Sequence, residues 1–122
     1  MDPRPFLSIV IPAYNEESRI RQTLVKISAE LKALHFTSEI LVVDDGSTDS
    51  TANLVKEFSN NCTYVELIQI PHGGKGKAIQ EGMQTANGEY CFICDADLSM
   101  PIKQITRFLP PDGPPSDVII GS

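Results

Sequence analysis

Five short apolar runs recur along this chain, separated by amphipathic helical patterns and turns. Leu7–Ile11, Glu39–Val43, Tyr64–Ile70, Glu89–Cys94 and Val118–Ile120 each read as a strand. Pro12 stops the first run and Pro71 the third. Between the first two runs lies a helix with one apolar stripe: Ile20, Leu24, Ile27, Leu31 and Leu34. Asn15 is its expected cap, Glu16 and Glu17 fall in its first turn, and it ends near His35. A second helix shows Leu54, Val55 and Phe58 on one side and breaks at Asn60-Asn61. Ser47 or Asp49 caps it. A third runs from Lys77 to Ala86, packs Ile79 and Met83, and stops at Asn87-Gly88. Alternating strands and helices imply right-handed crossovers and a mostly parallel open α/β sheet with helices on both faces.

The end of the chain reads differently. Pro101 opens a short helix with Ile102, Ile105 and Phe108, and Pro110 to Pro115 is linker-like. The fifth strand then leaves an open sheet edge. The expectation is a single N-terminal part, residues 1–122, of a domain incomplete at its C-terminal side. Another segment, an oligomer or a different partner would cover that edge.

Bulk properties narrow the function. The 122 residues suffice for one domain with a core, and 41% hydrophobic with 21% charged is ordinary for a globular protein. A net charge of −6 and a sequence pI near 4.7 argue against a nucleic-acid partner held by its phosphates. No apolar run approaches the roughly 20 residues that span a bilayer. The start, Met1-Asp2-Pro3-Arg4-Pro5, lacks a signal-peptide stretch, so the default expectation is cytoplasmic. Three cysteines, Cys62, Cys91 and Cys94, do not make a disulfide framework. Cys91 and Cys94 match a redox or zinc spacing, but positions three apart on a strand face opposite sides, so they read as buried thiols.

The chemistry gathers where strands end. Asp95-Ala96-Asp97 closes the fourth run. Two carboxylates at spacing two point the same way and make a hard-oxygen site suited to Mg²⁺ or Mn²⁺. In open α/β sheets, ligands lie beyond the carboxyl ends of strands. The alternative is a turn with two solvated acids. Asp44-Asp45 follows the second run. Either one of them caps the next helix, or a carboxylate is free to accept from a base N–H or a ribose hydroxyl. Pro12-Ala13-Tyr14-Asn15-Glu16 ends the first strand at the same face, and the Tyr14 ring can stack on a base or simply lie half-buried. Gly73-Gly74-Lys75-Gly76-Lys77 precedes a helix and exposes N–H groups and positive charge toward a diphosphate. It is not a P-loop, because Ala78 stands where Ser or Thr would hold Mg²⁺. Alone it equally fits a flexible turn. His35 and His72 have no obvious partners and are assigned no role.

Together these segments resemble the inverting family 2 glycosyltransferases of the GT-A fold. The segments are Ser8 through Glu17, Val42 through Asp49, Gly74 through Ala78 with Gly82, and Gly88-Glu89-Tyr90 through Asp97. Within that family they look most like dolichyl-phosphate β-glucosyltransferases, with the mannose synthases next. The resemblance implies a nucleotide-sugar donor, UDP-glucose or else GDP-mannose, and a lipid phosphate acceptor, polyprenyl in type. It implies that Pro12, Ala13, Tyr14, Glu16, Gly74, Lys75, Asp95 and Ala96 line the nucleotide-sugar pocket. Asp44 or Asp45 reads the base or ribose. Asp97, with Asp95, holds the metal, and Asp97 carries the catalytic role. Family members continue well past the Asp-Ala-Asp, so the acceptor site is expected outside these residues. The chain alone is expected to show little or no transfer, and to sit at most peripherally on the cytosolic face of a membrane.

Two alternatives stand beside that reading. Asp95-Ala96-Asp97-Leu98-Ser99 also resembles the nucleophile motif of haloacid-dehalogenase-type phosphatases. There it would normally lie on the first strand, not the fourth. The other is a catalytically inactive chain that only binds nucleotide.

Overall fold

The computed structural model describes residues 5–33, 37–95 and 118–120. The elements are β1 Leu7–Ala13, α1 Ile20–Lys32, β2 Ser38–Asp45, α2 Thr51–Asn61, β3 Val65–Ile70, α3 Lys75–Thr85, β4 Tyr90–Ile93 and β5 Val118–Ile120. All five strands are parallel, in the spatial order β3-β2-β1-β4-β5. The chain thus steps outward from β1 in one direction, returns, and steps outward in the other. Such a reversal leaves a crevice at the carboxyl ends of the two strands flanking it, here β1 and β4.

Strand alternation sorts the core into two layers. Leu7, Ile9 and Ile11 of β1, Ile40 and Val42 of β2, and Phe92 of β4 face one way. The α1 stripe Ile20, Leu24, Ile27 and Leu31 covers them, with Val55 of α2. Val10, Leu41, Val43, Cys91 and Ile93 face the other way, toward Ala78 of α3. The helices therefore cover both faces, as the alternating pattern implied. Cys91 and Cys94 fall in opposite layers, both buried and unbridged. Burial, assisted by the Glu39 charge, pushes the Cys91 thiol up to about 11.

Several boundaries move. Pro12 does not stop β1, which runs on to Ala13. Val10 turns its carbonyl toward β4, where Cys94 N–H donates to it at 2.9 Å. Pro12 faces the same side, beyond the last β1–β4 pair Val10↔Ile93, so its missing N–H costs no ladder bond. Asn15 does not cap α1. The helix begins at Ile20 after Arg19 with no side-chain cap, and no acid lies in its first turn. Its end at Lys32 comes before Leu34 and His35, which lie outside the described residues.

The third helix starts two residues earlier than the pattern suggested, at Lys75. It seats Ala78 and Gly82, not Met83, on the sheet; Met83 is exposed. A Cβ on Gly82 would collide with the side chains of Val10 and Val43, so glycine is what lets α3 lie this close. The expected Pro101 helix lies outside the described residues.

Candidate functional site

The two loops beside the crevice are tied together by side chains. Asn15 adopts a left-handed backbone, φ 52°. Its N–H donates to Ser47 Oγ at 2.9 Å, and its Oδ1 accepts from Thr48 N–H at 2.9 Å. Glu16 N–H donates to Thr51 Oγ1 at 2.8 Å. Glu17 N–H donates to Asp49 Oδ2, while Glu17 Oε2 accepts from Ser50 N–H. Asp49 Oδ1 accepts from Thr51 N–H at 2.9 Å, but the N-cap position of α2 is Ser50, with no side-chain cap bond, so neither Ser47 nor Asp49 is the expected cap. Burial works upward on the Asp49 carboxyl, but bonds from the Thr51 hydroxyl and amide and the Glu17 amide outweigh it and hold its pKa below the ordinary value. By residue type Asn15 fits a cap for α1. Its short polar side chain instead stabilises a left-handed turn that links two strand ends.

Asp44 and Asp45 are not beyond β2 but are its last two residues, both buried. Neither caps α2. Alternation sends them to opposite faces. Asp45 Oδ1 accepts from Gly73 N–H at 2.8 Å and Oδ2 from Gly74 N–H at 3.0 Å. The His72 Nδ1 lies 3.1 Å from the same Oδ2 and 3.0 Å from the Asp45 carbonyl oxygen. This carboxylate therefore anchors the loop between β3 and α3. Asp44 points to the α1–α2 side, and its Oδ1 has no hydrogen-bond partner among the described residues.

Two glycines make the anchorage possible. Gly46, φ +71°, backs directly onto His72, where a Cβ would sit 2.7 Å from the backbone nitrogen. Gly74, φ +100°, opens α3 in a conformation that side chains rarely adopt. Lys75 then stands at the first helical position, with its Nζ 2.5 Å from Asp95 Oδ1. The Tyr14 ring packs against the His72 imidazole, centroids 4.4 Å apart and planes tilted by 31°.

These residues surround a cavity of about 370 Å³, within the roughly 300–1,000 Å³ of small-ligand sites. Pro12, Ala13, Tyr14 and Glu16 line it from the end of β1, and Asp45 from β2. Gly74 and Lys75 enter from the head of α3, and Asp95 from just after β4. The crevice thus collects these expected residues from distant stretches of chain. Asp44 is not among those lining it. Ala96 and Asp97 lie outside the described residues. His72 and Ala78 line the cavity and were not anticipated. A histidine directly before a glycine pair, opposite an acidic strand end, was the available signal for His72.

The cavity wall suits an anion beside a cation. Lys75 and the N-terminus of α3 supply positive potential. Asp95 supplies a hard oxygen donor of the kind Mg²⁺ or Mn²⁺ takes. Among the described residues no cluster of three metal-ligating side chains occurs.

Comparison with known proteins places this arrangement. The sequence pattern described as "Glycosyl transferase family 2" matches residues 8–122. The chain belongs to this family. It is 39% identical over 112 residues to the dolichyl-phosphate beta-glucosyltransferase of Dictyostelium discoideum, covering 84% of this chain and 34% of that protein. The chain thus spans about a third of the length of the curated relatives it matches. Among solved structures it resembles the mannosyltransferase PcManGT from Pyrobaculum calidifontis in complex with GDP-Man and Mn²⁺, at 30% identity and a TM-score of 0.69. That match covers 81% of this chain and 29% of the other. It also resembles S. aureus TarS in complex with UDP-GlcNAc, at 27% identity and a TM-score of 0.70, covering 84% of this chain and 30% of that one. The fold is that of GT-A glycosyltransferases. A family match over nearly the whole chain leaves the phosphatase reading of Asp95 without support.

Proposed function

We propose that this family 2 chain forms the donor-binding part of a glycosyltransferase that moves a sugar from a nucleoside diphosphate to a lipid phosphate. The observation that carries the reading is the crevice itself. One cavity at the strand-order reversal combines an aromatic face, a helix N-terminus with Lys75, and the Asp95 carboxylate. A base, a diphosphate and a divalent cation need those three features respectively.

The donor is UDP-glucose and the acceptor a polyprenyl phosphate, in keeping with the identity to the Dictyostelium protein. GDP-mannose is the second reading, favoured by the likeness to PcManGT. Tyr14 flanks the base, Lys75 and the α3 amides face the diphosphate, and Asp95 with Asp97 holds Mg²⁺ or Mn²⁺. A bound divalent cation neutralises charge that builds on the departing diphosphate. Lys75 adds to the same charge balance. A phosphate acceptor is already ionised near neutral pH and needs no general base to strip a proton. A lipid-linked acceptor sets the reaction at a membrane surface, met here from the cytosolic side.

Calorimetric titration of UDP with Mn²⁺ tests this, with GDP and Asp97→Ala as controls. Metal-dependent UDP binding that Asp97→Ala abolishes is the expected result. Absence of binding to either nucleotide by the folded protein would overturn the reading.

A further inference from the structure

We propose that Lys75 is a tethered stand-in for the divalent cation: its ammonium holds Asp95 in the metal-free chain and passes to the donor's diphosphate when metal enters, so that cation and nucleotide strengthen each other's binding. The inference rests on the nucleotide reading above and adds to it a coupling between two of its ligands.

Lys75 stands where a cation is unfavourable unless an anion faces it. It is the first residue of α3, at the positive end of the helix, and no acid lies in the first turn to offset it. Its charge is met from another element. Nζ lies 2.5 Å from Asp95 Oδ1, and both residues line the cavity. The neighbouring Lys77 differs. Its Nζ lies 3.9 Å from Glu81 Oε1, one turn along the same helix, and it is not among the residues lining the cavity. The two lysines of the glycine loop therefore have separate surroundings, and only Lys75 borders the crevice.

The two partners differ in freedom. Asp95 follows Cys94, whose N–H donates to the Val10 carbonyl at 2.9 Å, so the backbone leading to the carboxylate is fixed to β1. The Lys75 side chain is 61% exposed on a flexible four-carbon stem, and a Cβ added to Gly74 or Gly76 beside it would meet nothing within 4 Å. The lysine has room to swing while the carboxylate stays. A divalent cation at Asp95 competes for the oxygen that the ammonium holds. Once displaced, the ammonium is still tethered to the head of α3, where a diphosphate is the anion that satisfies it. A nucleotide that arrives first draws Lys75 away and opens the same oxygen to metal. Each ligand thus favours the other by the same factor.

Lys75→Met, which keeps an unbranched stem and removes the charge, tests the handover by calorimetry. Mn²⁺ is titrated into wild type, Lys75→Met and Lys77→Met, each with and without saturating UDP. Without UDP, Lys75→Met should bind Mn²⁺ about fivefold more tightly than wild type, the scale of a partly exposed ion pair. With UDP bound that gain should vanish, so the factor by which UDP strengthens Mn²⁺ binding should fall about fivefold. Lys77→Met should match wild type in both series. A gain of equal size with and without UDP would make Lys75 a repelling charge only and overturn the proposal. The same gain in Lys77→Met, or no gain in Lys75→Met, would overturn it too. The unmodified protein gives a second readout: the Lys75 ε-methylene resonance should shift with Mg²⁺ and shift again with UDP. A resonance unmoved by saturating Mg²⁺ would leave the ion pair intact beside the metal and sink the handover. If folded wild type binds Mn²⁺ but no UDP, the donor-site reading itself falls, an outcome distinct from the others.

Discussion

The two ends of the sheet hold buried polar groups for different ends. At the amino ends, Ser8 Oγ donates to Glu39 Oε2 at 2.6 Å and accepts from Gly88 N–H at 2.8 Å. Asn87 N–H donates to the same Glu39 oxygen at 2.7 Å. The cluster closes on itself, and Ser8 is fully buried. At the carboxyl ends, Asp45 is equally well bonded, yet it stands on the wall of a cavity of about 370 Å³, and Asp44 keeps an unpartnered oxygen among the described residues. One end uses polarity to pin a turn. The other uses it to keep a space open and shaped. Polarity alone therefore does not mark a site. Polarity held rigid around an open crevice does.

The largest effect should come from breaking the closed end. A Cβ on Gly88 would lie 2.6 Å from Ser8 Oγ and 2.7 Å from Ser8 N. Backbone cannot retreat as a flexible side chain can, so Gly88→Ala should cost about 3 kcal/mol. Urea unfolding measures it. Near-normal stability would show that this end is looser than the contacts imply. Nucleotide affinity, measured on the folded fraction, should stay within about twofold, because the crevice is at the other end.

A smaller but more telling loss is expected from Asp45→Asn. The variant keeps the shape but removes charge from the acceptor of two amides and the imidazole. Bonds to a charged acceptor contribute about 2 kcal/mol, so stability should fall by about that much. UDP affinity should fall with it, since the His72 loop loses its anchor. A stability loss with intact UDP binding would separate the anchor from the site and blunt the contrast between the two ends.

Much of this was legible in the sequence because strand and helix periods differ so sharply. The α1 stripe reached the core as Ile20, Leu24, Ile27 and Leu31, and the strand-end acids marked the crevice. Misreadings arose where local chemistry had two uses. Asn15 can cap a helix or occupy a left-handed turn, and only the distant Ser47 and Thr48 decide which. Pro12 breaks a strand only if its nitrogen faces a neighbour, and the strand order settles that. Gly88 read as a helix stop, but its requirement is the close approach of Ser8. His72 shows no partner in the sequence because Asp45 lies at the end of the neighbouring strand, far from it along the chain. Each missed fact depends on a contact between residues about thirty or more positions apart, which no local pattern encodes.

The smallest effect concerns the tie between the β1–α1 and β2–α2 loops, and it is read by pH. Hydrogen bonds from Thr51 and Glu17 hold the Asp49 carboxyl below its ordinary value despite the opposing effect of burial. A carboxyl with a lower pKa in the folded state binds fewer protons there than when unfolded, so its contribution is complete above the unfolded value, about 4. It is lost as pH falls through the folded value. Asp49→Asn has no such titration. As pH falls below the unfolded value, about 4, the wild type should therefore lose stability more steeply than the variant. Amide exchange at Glu17 and Thr51, corrected for intrinsic rates, should accelerate over the same window, because both amides donate to Asp49. Gly88, bonded to the Ser8 hydroxyl at the other end, should show no Asp49-dependent change. Parallel pH slopes in wild type and Asp49→Asn would mean the tie contributes nothing measurable, and Tyr14 would then owe its position to His72 rather than to the loop below it.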